Sequence, residues 1–182
     1  KRSLKEAFDA AKIFAEHPSG WLYLAGPTGV GKTHLAAAII SECIKLDRSV
    51  LFRFIPDLLD ELRRSYGSGS EKSFDRAFSQ VRDAELLVLD DLGAEASTAW
   101  AEEKLYQLIV HRHDAMLPTV FTSRIALETI GESETRITTR YSEAIVSRLS
   151  DANVVAERYI SAPDFRHRGA IPKPRTNRRK PR

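Results

Sequence analysis

The sequence predicts an α/β fold, a five-stranded parallel sheet with helices on both faces, and three observations carry that prediction. Short runs of strand length (Trp21–Ala25, Val50–Phe54, Leu86–Asp90, Thr119–Ser123, Val154–Ile160) alternate with longer segments of helical periodicity. The runs at Trp21–Ala25 and Leu86–Leu89 are apolar throughout, as expected of strands covered on both faces. The first run leads directly into a glycine loop and then a helix, Gly26-Pro27-Thr28-Gly29-Val30-Gly31-Lys32-Thr33, with the spacing G-x-x-x-x-G-K-T.

Each element has its own warrant. Leu4, Ala7, Phe8, Ala11, Ile13, Phe14 and Ala15 fall near helical spacing, so residues 3–16 are predicted to form an amphipathic helix, ended by His17-Pro18-Ser19-Gly20. Thr33 to Lys45 is a second helix with an alanine cluster. Pro56 suits a first turn, and Leu58–Tyr66 is read as a helix that stops at Gly67-Ser68-Gly69-Ser70, a stretch read as a mobile flank. Glu71–Asp83, Ala99–His113 and Arg140–Leu149 complete the helices. The run ending in Asp90 and Asp91 is expected in the sheet centre, beside the strand that precedes the glycine loop. Right-handed crossovers then bring the glycine loop, the two aspartates and Thr122-Ser123-Arg124 to the carboxyl ends of their strands, where ligands of such sheets bind.

Composition narrows the class. The 182 residues suit one domain with a real core, and no stretch of about eighteen apolar residues offers a membrane span. The single cysteine, Cys43, lies in a helix and excludes a disulfide framework, which fits a reducing cytoplasmic setting. The chain opens on Lys1 without a signal-peptide pattern and is expected to be a fragment of a longer protein. Net charge is +3, but residues 166–182 hold eight of the 28 Lys and Arg and no acid, which leaves the remainder with 20 basic and 25 acidic residues. Residues 1–165 are therefore taken as the folded domain. Residues 166–182 are taken as a basic, disordered tail, either a nucleic-acid-binding arm or a solubilising terminus.

The glycine loop has the form that binds phosphate. Glycines let backbone N–H groups approach the phosphates, and the following helix N-terminus adds partial positive charge. Gly26 to Thr33, with His34 beside them, are the candidate ATP contacts; Lys32 reaches the β and γ phosphates and the Thr33 hydroxyl ligates Mg²⁺. Asp90, first of the carboxylates closing Leu87-Val88-Leu89, is the second candidate Mg²⁺ residue. Asp91 is placed to orient or deprotonate the attacking water, with one methylene less reach than a glutamate. His111 and His113, two apart on a helix, do not share a face, which argues against a metal site.

GPTGVGKTHL, DDLGAE after an apolar strand, LPTVFTS and Ala144-Ile145-Val146-Ser147-Arg148-Leu149, in that order, resemble the AAA+ domain of bacterial replicative-helicase loaders, the DnaC/DnaI family, with the IstB transposition helpers close to the same pattern. The resemblance runs from about Leu4 to about Arg168. It implies a P-loop NTPase three-layer sandwich without a helical lid. It also implies ATP hydrolysis with Mg²⁺, self-association into an open spiral or ring, and a replicative helicase partner bound through a domain outside this chain. Arg148 matches the residue that acts as an arginine finger on a neighbouring subunit, against the alternative of a surface arginine in a salt bridge. Arg166 matches a terminal arginine that contacts nucleotide. Where the family has Thr-Ser-Asn, this chain has Thr122-Ser123-Arg124; the arginine either pairs with phosphate or turns away to Asp91 or Glu95. The segment from Phe54 to Ser70 corresponds to a helical insertion that contacts single-stranded DNA, with Arg63 and Arg64 for phosphates and Tyr66 for base stacking, against an ordinary amphipathic helix. Two alternatives stand beside the helicase loader: an IstB-like transposition helper acting on duplex DNA, and a nucleotide-gated DNA-binding module with little turnover.

Overall fold

The computed structural model describes residues 2–67, 71–127 and 141–167. The order of elements is α1 (Arg2–Glu16), β1 (Trp21–Ala25), α2 (Lys32–Lys45), β2 (Leu51–Phe54), α3 (Ile55–Gly67), α4 (Glu71–Arg82), β3 (Leu87–Leu92), α5 (Ala99–Asp114), β4 (Thr119–Ser123), α6 (Glu143–Leu149), β5 (Val155–Tyr159) and a single 3₁₀ turn at Phe165–His167. Arg140, Ser68 to Ser70 and the basic run from Arg168 onward lie outside the described residues, so the expectations placed on them stay expectations.

The sheet is parallel throughout, in the order β2-β3-β4-β1-β5. This corrects one expectation: β3 does not lie beside β1, because β4 pairs with both and separates them. The reason is topological. Successive crossovers carry the chain from β1 out to β2 and back through β3, and the gap left beside β1 is filled by β4. Every residue of β1 and β4 is buried, whereas the edge strands β2 and β5 are half-exposed.

Alternation along β1 divides the core. Trp21 and Tyr23 face a cluster with Leu58 and Leu62 of α3, Leu105 and Leu108 of α5 and Ile145 of α6. Leu22 and Leu24 face Ala7 and Ala11 of α1 and Ala36 and Ile39 of α2. The small residues on α1 and α2 let the two helices approach closely, and Cys43 packs there as a buried small side chain. On the other face Arg112 of α5 is 1% exposed. It donates to the Thr119 hydroxyl and to the carbonyls of Arg82, Ala84 and Pro118, so one guanidinium ties α4, α5 and β4 together. Burial pushes its pKa down to about 10, against the pull of Asp83.

β3 runs two residues further than expected, to Leu92, and its pairing with β4 shifts between Leu89 and Leu92. Asp91 sits in this irregularity with a left-handed backbone, φ 61°. A bulge here turns consecutive carboxylates in different directions instead of leaving them on opposite faces of a flat strand.

Candidate nucleotide-binding site

At the carboxyl end of the sheet the loop between β1 and α2 lines a cleft of about 1340 Å³ with Asp90, Asp91, Thr122, Arg124 and Arg166. The sequence motifs thus converge on one cavity. Gly29 and Gly31 have φ of 80° and 102°, conformations that favour glycine, and a Cβ on Gly31 would project into open space. That empty cradle fits a phosphate group. Lys32 is 8% exposed; its ammonium donates to the carbonyls of Gly26 (2.7 Å) and Pro27 (2.8 Å). Burial lowers its pKa, Asp91 and Asp90 oppose the shift, and Arg124 and Arg166 add to it. A desolvated cation held mainly by neutral carbonyls is a ready partner for an anion.

Asp90 is buried, and its Oδ1 accepts from the hydroxyls of Thr33 (3.0 Å) and Thr122 (2.7 Å). Hydroxyl and carboxylate oxygens side by side form a hard-oxygen set suited to Mg²⁺, so the residues present fit the ion. Thr122 also accepts the Asp91 N–H at 2.9 Å. One hydroxyl on β4 therefore fixes both aspartates of β3, a consequence of β4 lying between β1 and β3. The sequence placed Thr122 at the right strand end but gave no signal of this bridge, because strand order is not written in any local pattern.

Arg124 lies at the cleft wall with Nε 3.9 Å from Asp91. Of the two acidic partners considered for it, Glu95 is engaged elsewhere: it accepts from the Tyr141 hydroxyl at 2.6 Å and from the Gly93 N–H at 2.9 Å. Arg166 reaches the cleft from the 3₁₀ turn. That turn is fastened to the loop: the Phe165 N–H donates to the Gly29 carbonyl at 3.0 Å, and the Asp164 carboxylate packs where a Cβ on Gly29 would lie. Phe8 of α1 and Phe165 add apolar surface at the cleft mouth, a contribution the sequence reading missed because both belong to segments read for other reasons.

Arg148 stands apart from this cleft, in the last turn of α6. It donates to the carbonyl of Ala144 one turn back, its buried Nε has no hydrogen-bond partner, and among the described residues no carboxylate pairs with it. Nor do Arg63, Arg64 and Tyr66 line the cleft. Arg63 donates to the Thr98 hydroxyl and lies 5.1 Å over the ring of Trp100, while Arg64 donates to the Asp60 carbonyl. The two arginines share a hollow with Asp57, Asp60 and Glu61, which offsets their positive charge. Tyr66 is exposed and meets Phe74 edge-on. His111 and His113 pair separately with Asp83 and Asp151, and no metal-binding cluster occurs among the described residues.

Comparison with known proteins agrees with this geometry. The profile described as IstB-like ATP binding protein matches residues 13–158. The replicative helicase loader DnaI of Bacillus subtilis is 32% identical over 120 residues, 65% of this chain and 38% of that protein. An insertion-sequence ATP-binding protein of Pseudomonas fluorescens is 36% identical over 108 residues, 59% of this chain and 45% of that protein. The chain thus spans less than half the length of either relative. The crystal structure of the DnaC helicase loader superposes with a TM-score of 0.72 at 26% identity, covering 88% of this chain and 92% of that one. With the loop, the paired aspartates and the strand order of an AAA+ P-loop domain all in place, the chain belongs to the IstB-like ATP-binding protein family.

Proposed function

We propose that this chain is the ATPase domain of a replicative-helicase loader, hydrolysing ATP with Mg²⁺ to drive loading of the helicase onto single-stranded DNA. The observation that carries the ATPase reading is the buried Thr33–Asp90–Thr122 group beside the glycine loop and Lys32. Lys32 and the loop N–H groups hold the phosphates, and Thr33 and Asp90 would hold Mg²⁺, which would supply charge neutralisation to the phosphates. Asp91 accepts the proton of the attacking water. Arg124, beside it, neutralises phosphate charge or restrains Asp91. Arg166 approaches from the C-terminal turn. Arg148 acts on the site of a neighbouring subunit in a spiral or ring; its lack of a carboxylate partner among the described residues supports an external anion as its counterpart.

Likeness to DnaI and DnaC supports the helicase-loader assignment, with the helicase bound outside this chain. Arg63, Arg64 and Tyr66 are the proposed single-strand contacts, and the basic residues beyond Arg166 a second one. A transposition helper on duplex DNA is the second reading, favoured by the family profile and by the insertion-sequence relative. Phosphate release with and without single-stranded or duplex DNA separates these readings. Stimulation by single strands, with capture of a replicative helicase by the full-length protein, supports the loader. Preference for duplex supports the transposition helper. Absence of turnover under all conditions refutes both ATPase readings and leaves the nucleotide-gated binding module.

A further inference from the structure

The segment that follows the paired aspartates is tied to the helix that carries Arg148 by a buried carboxylate. After β3 the chain turns at Gly93, φ 95°, where a Cβ would lie 2.7 Å from the Ile125 side chain. Glu95, 7% exposed, then folds back. One of its oxygens accepts the Gly93 N–H and the other accepts the hydroxyl of Tyr141, itself 7% exposed. Tyr141 immediately precedes Ser142, the N-cap of α6. The Ser142 N–H in turn donates to Glu102 of α5. The start of α6 is therefore pinned at two adjacent residues, while Arg148 sits at its far end.

A buried carboxylate is costly unless its oxygens are satisfied; here one oxygen braces the turn at Gly93 and the other joins that turn to a residue 46 positions away. A seven-residue helix whose N-cap and the residue before it are both bonded to carboxylates of other elements has its starting point held there. The geometry points to Glu95 and Tyr141 as positioning residues: the Gly93–Glu95–Tyr141 link sets the direction of α6, so that Arg148 meets the phosphates bound by the neighbouring subunit. This inference rests on the proposed action of Arg148 in trans. Neither Glu95 nor Tyr141 is assigned to touch nucleotide. Because Gly93 lies two residues beyond Asp91, the link also joins the water-activating end of one site to the arginine offered to the next.

Mixed assemblies of the full-length protein test this. Tyr141→Phe removes one hydroxyl; Glu95→Gln keeps the side-chain shape but has one acceptor oxygen where the carboxylate has two, so it turns an amide NH₂ toward either the Gly93 N–H or the Tyr141 hydroxyl. Mixing Arg148→Ala with Lys32→Ala is the control, since only junctions pairing an intact loop with an intact arginine hydrolyse ATP. Each linker variant is then mixed with Lys32→Ala, where it supplies the loop, and with Arg148→Ala, where it supplies the arginine. The expected result is control-level activity in the first mixture and a loss of roughly tenfold to a hundredfold in the second, the range a misplacement near 1 Å produces. Equal activity in both mixtures overturns the inference. Equal loss in both overturns it too, because the link then serves its own subunit's site or fold. Failure of the control, with mixed assemblies shown to form, overturns the action of Arg148 in trans itself.

Discussion

Replacing Thr122 by valine tests the core of the site with a change of one hydroxyl for one methyl. Thr122 is 1% exposed, donates to Asp90 Oδ1 at 2.7 Å and accepts the Asp91 N–H at 2.9 Å. A neutral hydrogen bond contributes about 0.5–1.5 kcal/mol net and one to a charged group about 1.5–3 kcal/mol, so losing both costs about 2–4.5 kcal/mol. Asp90 keeps its bond from Thr33, which places the expected loss in the lower half of that range, about 2–3 kcal/mol. The second effect is on Asp91. A left-handed backbone costs about 1–2 kcal/mol at a non-glycine residue, and the Thr122 bond helps hold it there. Freed of that bond, Asp91 relaxes and its carboxylate moves, so hydrolysis falls more than ATP affinity. Thr122→Ser keeps the hydroxyl and loses a methyl group, for about 0.5–1.5 kcal/mol. Urea unfolding, ATP-Mg²⁺ titration and steady-state phosphate release on parent, valine and serine variants give the three numbers. A valine variant within about 0.5 kcal/mol of the parent and unimpaired in turnover refutes the bridge, since the Asp91 N–H loses its acceptor and Asp90 the shorter of its hydroxyl donors.

Lys32→Ala is expected to abolish nucleotide binding with the fold intact, so the roughly 2.7 kcal/mol of stabilisation that ATP-Mg²⁺ gives at a hundredfold over Kd disappears from thermal melts; equal shifts in parent and variant would refute the site. Because burial lowers the Lys32 pKa below that of the unfolded chain, its positive charge is lost early as pH rises: ATP affinity declines at a lower pH than an ordinary lysine would impose, while the stability of the free protein rises across the same window. Asp91→Asn removes a charge that holds this pKa up and moves the decline to lower pH, whereas Arg124→Asn moves it to higher pH; shifts of the same sign would refute this electrostatic account. Gly29→Ala and Gly31→Ala are both expected to weaken ATP binding, but only at Gly29 does the new Cβ overlap the Asp164 carboxylate, so the free protein loses more stability there by urea unfolding. Arg112→Met removes the guanidinium donor from the carbonyls of Arg82 and Ala84, and one of two bonds from the Pro118 carbonyl and the Thr119 hydroxyl, and is expected to cost about 3 kcal/mol, with Arg112→Lys recovering part of it.

The sequence made the strands legible because burial on both faces leaves an unbroken apolar signature at Trp21–Ala25 and Leu86–Leu89. It made the cleft legible because a phosphate loop needs glycines at fixed spacing, and their left-handed conformations are present at Gly29 and Gly31. Neighbours across the sheet were not legible. Which strand lies beside β1 depends on crossovers, and a nearest-neighbour guess put β3 there in place of β4. The partners of Arg63 were hidden for a similar reason: a helical wheel shows an exposed arginine, but not that Trp100 and Thr98 on another element lie beneath it. Glu95 read as part of a motif string, with nothing in the string to signal a partner at Tyr141.

Two of these misses, the strand order and the Glu95–Tyr141 bond, lie at or beside the carboxyl end of β4, and that location says how the site is held. β4 carries little sequence signature of its own beyond Thr122-Ser123, yet its end bonds in both directions. The Gly26 N–H donates to the Ser123 carbonyl, Ser123 Oγ donates to the Leu92 carbonyl, and Tyr23 reaches over to the Ile125 carbonyl. The Ile125 N–H closes on Ser123 Oγ, so the turn after β4 is fixed by its own side chain. The phosphate loop and the aspartate pair therefore do not touch through their own strands; β4 is their common support, and Thr122 is the point where the support becomes chemical. A displacement of the loop on nucleotide binding reaches the aspartates through this strand end and directly through the Thr33–Asp90 bond, and from Asp91 it is two residues to Gly93 and the carboxylate bonded to Tyr141, just before α6. The chain thus contains a continuous bonded route from the glycine loop to the residue that precedes α6, the helix that carries Arg148. Thr122→Val breaks that route at its first side-chain bond and Tyr141→Phe at its last, so their effects on activity in mixed assemblies, where coupling between contacts is retained, should be non-additive.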